Sequence, residues 1–307
     1  MILFSAKPEA WAEWEAPLRA AFAEEGIDVP LAPEGDPAEV EWILYAPNGP
    51  LRDFSPYVNL KGVQNLWAGV EAAVGNETLT APLARMVDPG MTEGMVEWVV
   101  GHVMRHHLGM DADICRNDGQ WVRHVAPLAR ERRVTMLGLG ELGSACAQAL
   151  ASLNFDVTGW SRTEKRIDGI ATEHEVAGLE RALRGAEIVV LLLPLTEATR
   201  DLMDAERLGW LPRGAVIVNP GRGPLIDDDA LIAALDSGQV AHATLDVFRT
   251  EPLPEGHPFW AHPGVTVTPH IASETRPVTA SHVAAANLAR AMRGEAMHHL
   301  VDRARGY

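Results

Sequence analysis

Three glycines, Gly138, Gly140 and Gly143, carry the clearest chemical meaning in the chain, in the stretch "VTMLGLGELGSACAQAL". They keep the spacing G-x-G-x-x-G, directly after an apolar run that reads as a strand and at the head of a run that reads as a helix. In that setting the glycines permit a tight turn, close approach of backbone to a pyrophosphate and close helix packing, while the helix N-terminus attracts the anion. The expectation is a dinucleotide held by Gly138, Leu139, Gly140, Glu141, Leu142 and Gly143. A second short strand, "FDVTGW", follows, and at its tip such folds place an acid on the adenosine ribose 2′-hydroxyl. Here the tip reads Ser161-Arg162, with Lys165 close behind. A carboxylate would repel a 2′-phosphate, whereas a hydroxyl, a guanidinium fork and an ammonium group suit one. Trp160, Ser161, Arg162 and Lys165 are therefore the expected adenosine-side residues, and NADP is the expected cofactor, with NAD as the alternative.

Three further segments, "VNPGRGPLIDDDAL", "LDVFRTEPLP" and "VTVTPHIAS", each follow an apolar strand. They fall beyond the carboxyl ends of parallel strands, where open α/β sheets bind ligands. Between them they carry Arg222, Asp246, Glu251 and His270. Asp227 to Asp229 read as a helix N-terminal region favoured by the helix dipole. His102 and His106, four apart in "GHVMRHH", have a spacing that metals use, but no third ligand accompanies them. They are read as a solvated or interdomain helix face, and no metal is expected. Cys115 and Cys146 form no CxxC pair, and Cys146 reads as a small buried hydrophobe.

The elements that must position these residues fall into two groups. Residues 1 to about 95 alternate strand-like pieces ("MILFSA", "EWILYAP", "VQNLWAGV", "ARMVD") with helical ones such as "PEAWAEWEAPLRAAFAEEG". A helix in "GMVEWVVGHVMRHH" has the length of a bridge. From Arg133 onward near-continuous apolar strands alternate with helices, the mark of a parallel sheet covered on both faces. A last helix, "VTASHVAAANLARAM", returns the chain to the first unit. The expected fold is α/β in two domains. A doubly wound Rossmann-type parallel-sheet domain (residues 98–282) is inserted into a smaller flavodoxin-like substrate-binding domain (residues 1–97 and 283–307). Crossings near residues 95–100 and 280–285 are the expected hinges for closure over cofactor and substrate.

Composition narrows the function. With 307 residues and 47% hydrophobic content the chain can bury a sizeable core. A net charge of −16 argues against nucleic acid or an anionic membrane as partner, since both reward clustered cations. No long uncharged apolar run suggests a membrane span, and the opening "MILFSAKPEAWAEWE" turns acidic too early for a secretory leader, so a cytoplasmic protein is expected.

The late glycine motif, together with "LWAGVEA", "MVEWVV", "WSRTEK", "LLLPLTEATR", "NPGRGPLID", "LDVFRTEPLP" and "TPHIASETRP", resembles the D-isomer-specific 2-hydroxyacid dehydrogenases. Within them it is similar to the short glyoxylate/hydroxypyruvate reductase A type, over almost the whole chain. The resemblance implies reduction of small 2-keto acids by hydride transfer, with Arg222, Glu251 and His270 as the catalytic set. His270 would protonate the nascent hydroxyl oxygen, Glu251 would hold the imidazole and raise its pKa, and Arg222 would grip planar oxygens with its fork. It further implies that backbone N–H groups of Ala68, Gly69 and Val70 take the substrate carboxylate, that Asp246 holds the nicotinamide carboxamide, that Pro194 lines the adenosine side with Pro220 also at the cofactor, and that the protein is a homodimer. Trp67 departs from the small residue usual in the family, and Glu71 stands where aspartate is usual; Trp67 is either core or a narrowing of the pocket. Two other readings remain open at this point: a reductase of bulkier 2-keto acids, and a nucleotide-sensing binding protein on the same fold.

Overall fold

The computed structural model describes residues 1–114 and 118–306; Cys115 lies outside them. The chain opens with β1 (Ile2–Ser5), α1 (Trp11–Glu24), β2 (Leu31–Ala32), β3 (Trp42–Tyr45), β4 (Gly62–Asn65), α2 (Glu71–Val74) and β5 (Leu83–Ala84). It continues through α3 (Pro89–Leu108), α4 (Asp111–Ile114), β6 (Arg133–Leu137), α5 (Glu141–Ser152), β7 (Asp156–Ser161), β8 (Ala171–His174), α6 (Glu175–Arg184) and β9 (Ile188–Leu191). The remaining elements are α7 (Ala205–Trp210), β10 (Ala215–Asn219), α8 (Asp228–Asp236), β11 (Val240–Leu245), β12 (Val265–Val267) and α9 (Pro277–Met292). Backbone packing divides the chain into Met1–Met91 with Glu274–Tyr307, and Thr92–Ser273.

In the first unit five strands pair in parallel in the order β2-β1-β3-β4-β5, the flavodoxin-like order. Every residue of β1, β3 and β4 is buried, as a sheet covered on both faces requires. α9 packs on α1. In the second unit seven parallel strands run β12-β11-β10-β9-β6-β7-β8. Numbered within that unit, the order is 3-2-1-4-5-6-7, the Rossmann arrangement with one added strand, so the doubly wound α/β expectation holds. The order reverses between β6 and β9. Crossovers leave both faces of this sheet covered, and two apolar clusters result. One gathers Leu137, Leu179, Val189, Leu191, Ile217 and Leu245, the other Val99, Val103, Val134, Met136, Cys146, Leu150 and Val190.

Some elements have no counterpart in the sequence pattern. β8 is an edge strand of polar composition, Ala-Thr-Glu-His, with no apolar period to reveal it. β2 is two residues long and α7 is six, too short for periodicity. The strand expected in "VQNLWAGV" stops at Asn65, and residues 66–70 form a loop. The chain crosses between units at 91/92 and 273/274, while residues 95–100 and 280–285 lie inside α3 and α9. The solvated-face reading of His102 and His106 is corrected. His106 Nε2 lies 2.8 Å from Thr244 Oγ1 on β11, its ring is 5.0 Å from that of His242, and the His102 ring is 4.2 Å from Trp98. Both histidines pack within the second unit. Among the described residues no helix is long and apolar enough to cross a membrane.

Candidate active site

At the carboxyl end of β6 the glycine motif adopts a geometry that its residue types dictate. Gly138 has φ +106°, a conformation that side chains resist, and a Cβ there would lie 2.4 Å from the Leu192 carbonyl oxygen. A Cβ on Gly143 would lie 1.9 Å from the Gly138 carbonyl oxygen, so α5 can start this close to the strand through glycine alone. Gly140, at the N-cap of α5, faces open space instead: no heavy atom lies within 4 Å of its Cβ position. A tight turn, a close helix and an open cradle before an N-terminus of twelve helical residues fit a dinucleotide pyrophosphate. Leu139 is buried in the core, while Glu141 is exposed in the first turn and Leu142 packs against the apolar cluster beneath.

The tip of β7 lies beside this loop, since the Gly138 N–H donates to the Trp160 carbonyl at 2.8 Å. Trp160 itself is a core residue, its ring buried and its Nε1–H donating to Glu175 O at 2.8 Å. Only its backbone reaches the glycine loop. The Ser161 hydroxyl is buried and donates to the Thr163 carbonyl at 2.7 Å. Arg162 is exposed at the tip, and Lys165 Nζ donates to the Leu139 carbonyl. The lysine therefore places its charge at the glycine loop. Pro194 follows β9, where its carbonyl accepts from Thr199 Oγ1 at 2.7 Å, and Pro220 is buried directly after β10.

Three strand ends converge on the reactive groups. After β10, Asn219 is buried and folds the next turn around its amide: Nδ2 donates to Arg222 O at 3.0 Å and Oδ1 accepts from Gly221 N at 3.1 Å. This turn sits against the loop after β11, since a Cβ on Gly223 would fall 2.0 Å from the Phe248 carbonyl carbon. In that loop Glu251 Oε1 accepts from Phe248 N at 2.9 Å and Oε2 lies 2.7 Å from His270 Nδ1. His270 follows β12 with φ +55° and a side chain half exposed. Asp246 enforces this turn. Its buried carboxylate accepts from Thr268 Oγ1 (2.6 Å), Ile271 N (2.9 Å) and Ala272 N (2.8 Å), while its carbonyl accepts from His270 N (2.9 Å).

The electrostatics follow from this geometry. The Glu251 hydrogen bond and charge raise the His270 pKa above its ordinary value, against burial and the nearby Arg222 cation. Burial pushes the Glu251 carboxyl up, but the bonds from His270 and Phe248 and the two nearby cations outweigh it and hold the carboxyl below its usual range. The result is a coupled Glu251–His270 pair with Arg222 near enough to act on both partners. With Nδ1 tied to Glu251, Nε2 is the ring atom that can pass a proton to a ligand.

In the first unit, Ala68 and Gly69 are partly exposed and Val70 is buried in the loop after β4. Trp67 is 40% exposed, so the core reading of that side chain does not hold. Thr268, Asn219 and Asn65 carry no signal in the sequence. Asn219 stands inside "NPGRG", but a buried asparagine that bonds backbone has no signature beyond its own letter.

Comparison with known proteins gives the family. Residues 98–272 match the family described as D-isomer specific 2-hydroxyacid dehydrogenase, NAD binding domain. The chain belongs to the D-isomer specific 2-hydroxyacid dehydrogenase family. It is 40% identical over 258 residues to a glyoxylate/hydroxypyruvate reductase A of Yersinia enterocolitica, covering 81% of this chain and 82% of that protein. A D-isomer specific 2-hydroxyacid dehydrogenase from Xanthobacter autotrophicus Py2, solved in complex with NADPH and MES, superposes with a TM-score of 0.93 at 44% identity, over 100% of this chain and 99% of that one. An NADPH-dependent glyoxylate/hydroxypyruvate reductase from Sinorhizobium meliloti, in complex with NADP and sulfate, gives 0.88 at 32% identity, over 100% and 98%.

Proposed function

We propose that this member of the family reduces small 2-keto acids, glyoxylate and hydroxypyruvate among them, with NADPH. The observation that carries the reading is the His270 Nδ1 to Glu251 Oε2 contact of 2.7 Å beside Arg222, at strand ends of a fold whose glycine loop fits a dinucleotide. Bound NADPH supplies the hydride. His270 Nε2 gives its proton to the oxygen of the reduced carbonyl, and Glu251 keeps that proton available and fixes the ring. Arg222 orients the keto acid through its guanidinium fork. The N–H groups of Ala68, Gly69 and Val70 take the substrate carboxylate. Asp246 has spent three acceptor sites on the His270 turn, and a carboxylate offers about four, so one remains for the nicotinamide carboxamide.

Arg162 favours a 2′-phosphate, and no acid follows Trp160 at the β7 tip, which supports NADPH over NADH. Complexes with NADPH or NADP among the solved relatives support the same choice. The half-exposed Trp67 takes up room beside the carboxylate loop and favours small substrates over bulky ones. Retention of all three reactive groups favours catalysis over nucleotide sensing alone. The molecule acts in the cytoplasm and pairs as a homodimer: Trp121 (93% exposed) and Val125 (86%) form an apolar stretch that a second copy would cover. The function is tested by initial rates with NADPH across a panel from glyoxylate to branched 2-keto acids. Highest kcat/KM with the smallest substrates is expected; a preference for the branched acids would overturn the substrate assignment.

A further inference from the structure

We infer that Asn65 is a positioning residue which gives the 66–70 loop its preference for an anion. The inference rests on the reading of this loop as the carboxylate site. Asn65 ends β4 fully buried, and its Nδ2 donates both hydrogens forward in the chain, to Trp67 O at 2.7 Å and to Gly69 O at 2.8 Å. Its Oδ1 has no partner among the described residues. A reversed amide would aim that oxygen at two carbonyl oxygens, so the orientation is the one that pulls carbonyls inward.

The other carbonyls of the loop, Ala68 O excepted, are also engaged. Leu66 O accepts from Thr275 Oγ1 (2.9 Å), Trp67 O also from Met86 N (3.1 Å), and Val70 O from Ala73 N and Val74 N (2.9 Å each). The N–H groups of Ala68, Gly69 and Val70, by contrast, have no acceptor among the described residues. A peptide plane whose carbonyl is drawn one way presents its N–H the other way. The loop thus carries three unspent donors while four of its five carbonyls are satisfied, an arrangement that rewards a carboxylate and penalises a neutral or cationic group. Asn65 is itself held from behind. Its carbonyl accepts from Gln64 Nε2 at 2.8 Å, and Gln64 Oε1 accepts from Asn287 Nδ2 on α9 at 2.7 Å. A buried amide chain therefore runs from α9 to the loop.

The test compares Asn65→Ala and Asn65→Ser with the unmodified protein in two assays. The first is KM and kcat for glyoxylate with NADPH; the second is calorimetric titration of the NADPH-loaded protein with oxalate. Asn65→Ala should raise KM for glyoxylate and Kd for oxalate by about ten- to a hundredfold, while kcat and the affinity for NADPH change by less than about threefold. Asn65→Ser, which keeps one donor, should fall between. Oxalate affinity within about twofold of normal in Asn65→Ala would overturn the inference, as would equal loss of oxalate and NADPH binding in both variants. Oxalate binding needs no turnover, so an unmodified protein inactive on every 2-keto acid would refute the reductase reading, while the oxalate titrations would still support or overturn the role of Asn65.

Discussion

In the proposed mechanism His270 is the proton donor, and its neighbours define what each change should do. His270→Gln keeps a polar group of similar reach but cannot deliver a proton, so kcat should fall by about 10²- to 10⁴-fold. Binding of NADPH, measured by fluorescence titration, should stay near normal because the glycine loop is untouched. Glu251→Gln should act through pH. The carboxylate raises the His270 pKa, and in the proposed mechanism protonated His270 is the active form, so the rate should fall as pH rises through the His270 titration. Losing the carboxylate lowers the pKa and moves the alkaline limb of the kcat/KM profile toward acid. An unmoved limb would remove Glu251 from the role. The segments that hold Arg222, Glu251 and His270 were legible in the sequence because each directly follows an apolar strand, while the roles of the three side chains are what the family resemblance implies. Their supports, Asn219, Thr268 and Asn65, were not. Each acts through one or two hydrogen bonds to groups brought near by the fold, and spacing along the chain carries no trace of that.

Helix α3 shows how an element can mislead when read alone. Histidines four apart suggested a polar face, yet His106 meets Thr244 and His242 on β11 and is half-buried there. Burial, with the neighbouring His242 and Arg105, pushes the His106 pKa down to about 3. In the unfolded chain the same imidazole titrates near 6.5, so between those values the unfolded state binds the extra proton. Stability should therefore drop as pH falls from about 6.5 toward 3, by up to about 1.4 kcal/mol per pH unit from this group. His106→Gln keeps a hydrogen-bonding head without the titration. Urea midpoints taken from pH 7 to pH 4 should fall less steeply in that variant; an unchanged slope would show that another group dominates acid sensitivity. The main strands and long helices were readable from apolar runs and 3.6-residue periods. β8 and α7 were not, since a polar edge strand and a six-residue helix owe their form to the sheet they join.

At the scale of the whole molecule, the strand orders are 2-1-3-4-5 in one unit and 3-2-1-4-5-6-7 in the other, and the proposed function gives carboxylate capture to the first and nucleotide binding and proton transfer to the second. Two parallel sheets were legible from buried apolar runs, but the crossing points at 91/92 and 273/274 were not. The helical period of α3 runs unbroken through the first crossing, and the second precedes α9 without a change of composition. Homodimerisation should appear as a dimer mass in sedimentation at micromolar concentration, with Trp121→Asp shifting the population toward monomer; a monomeric unmodified protein would contradict it. The most direct measurement is the initial rate of loss of reduced-nicotinamide absorbance when purified protein meets glyoxylate, run in parallel with NADPH and NADH. NADPH should be oxidised with a kcat/KM at least about tenfold above that for NADH, the worth of one charge-assisted contact to the 2′-phosphate. No oxidation of either cofactor, or equal efficiency with NADH, would contradict the account.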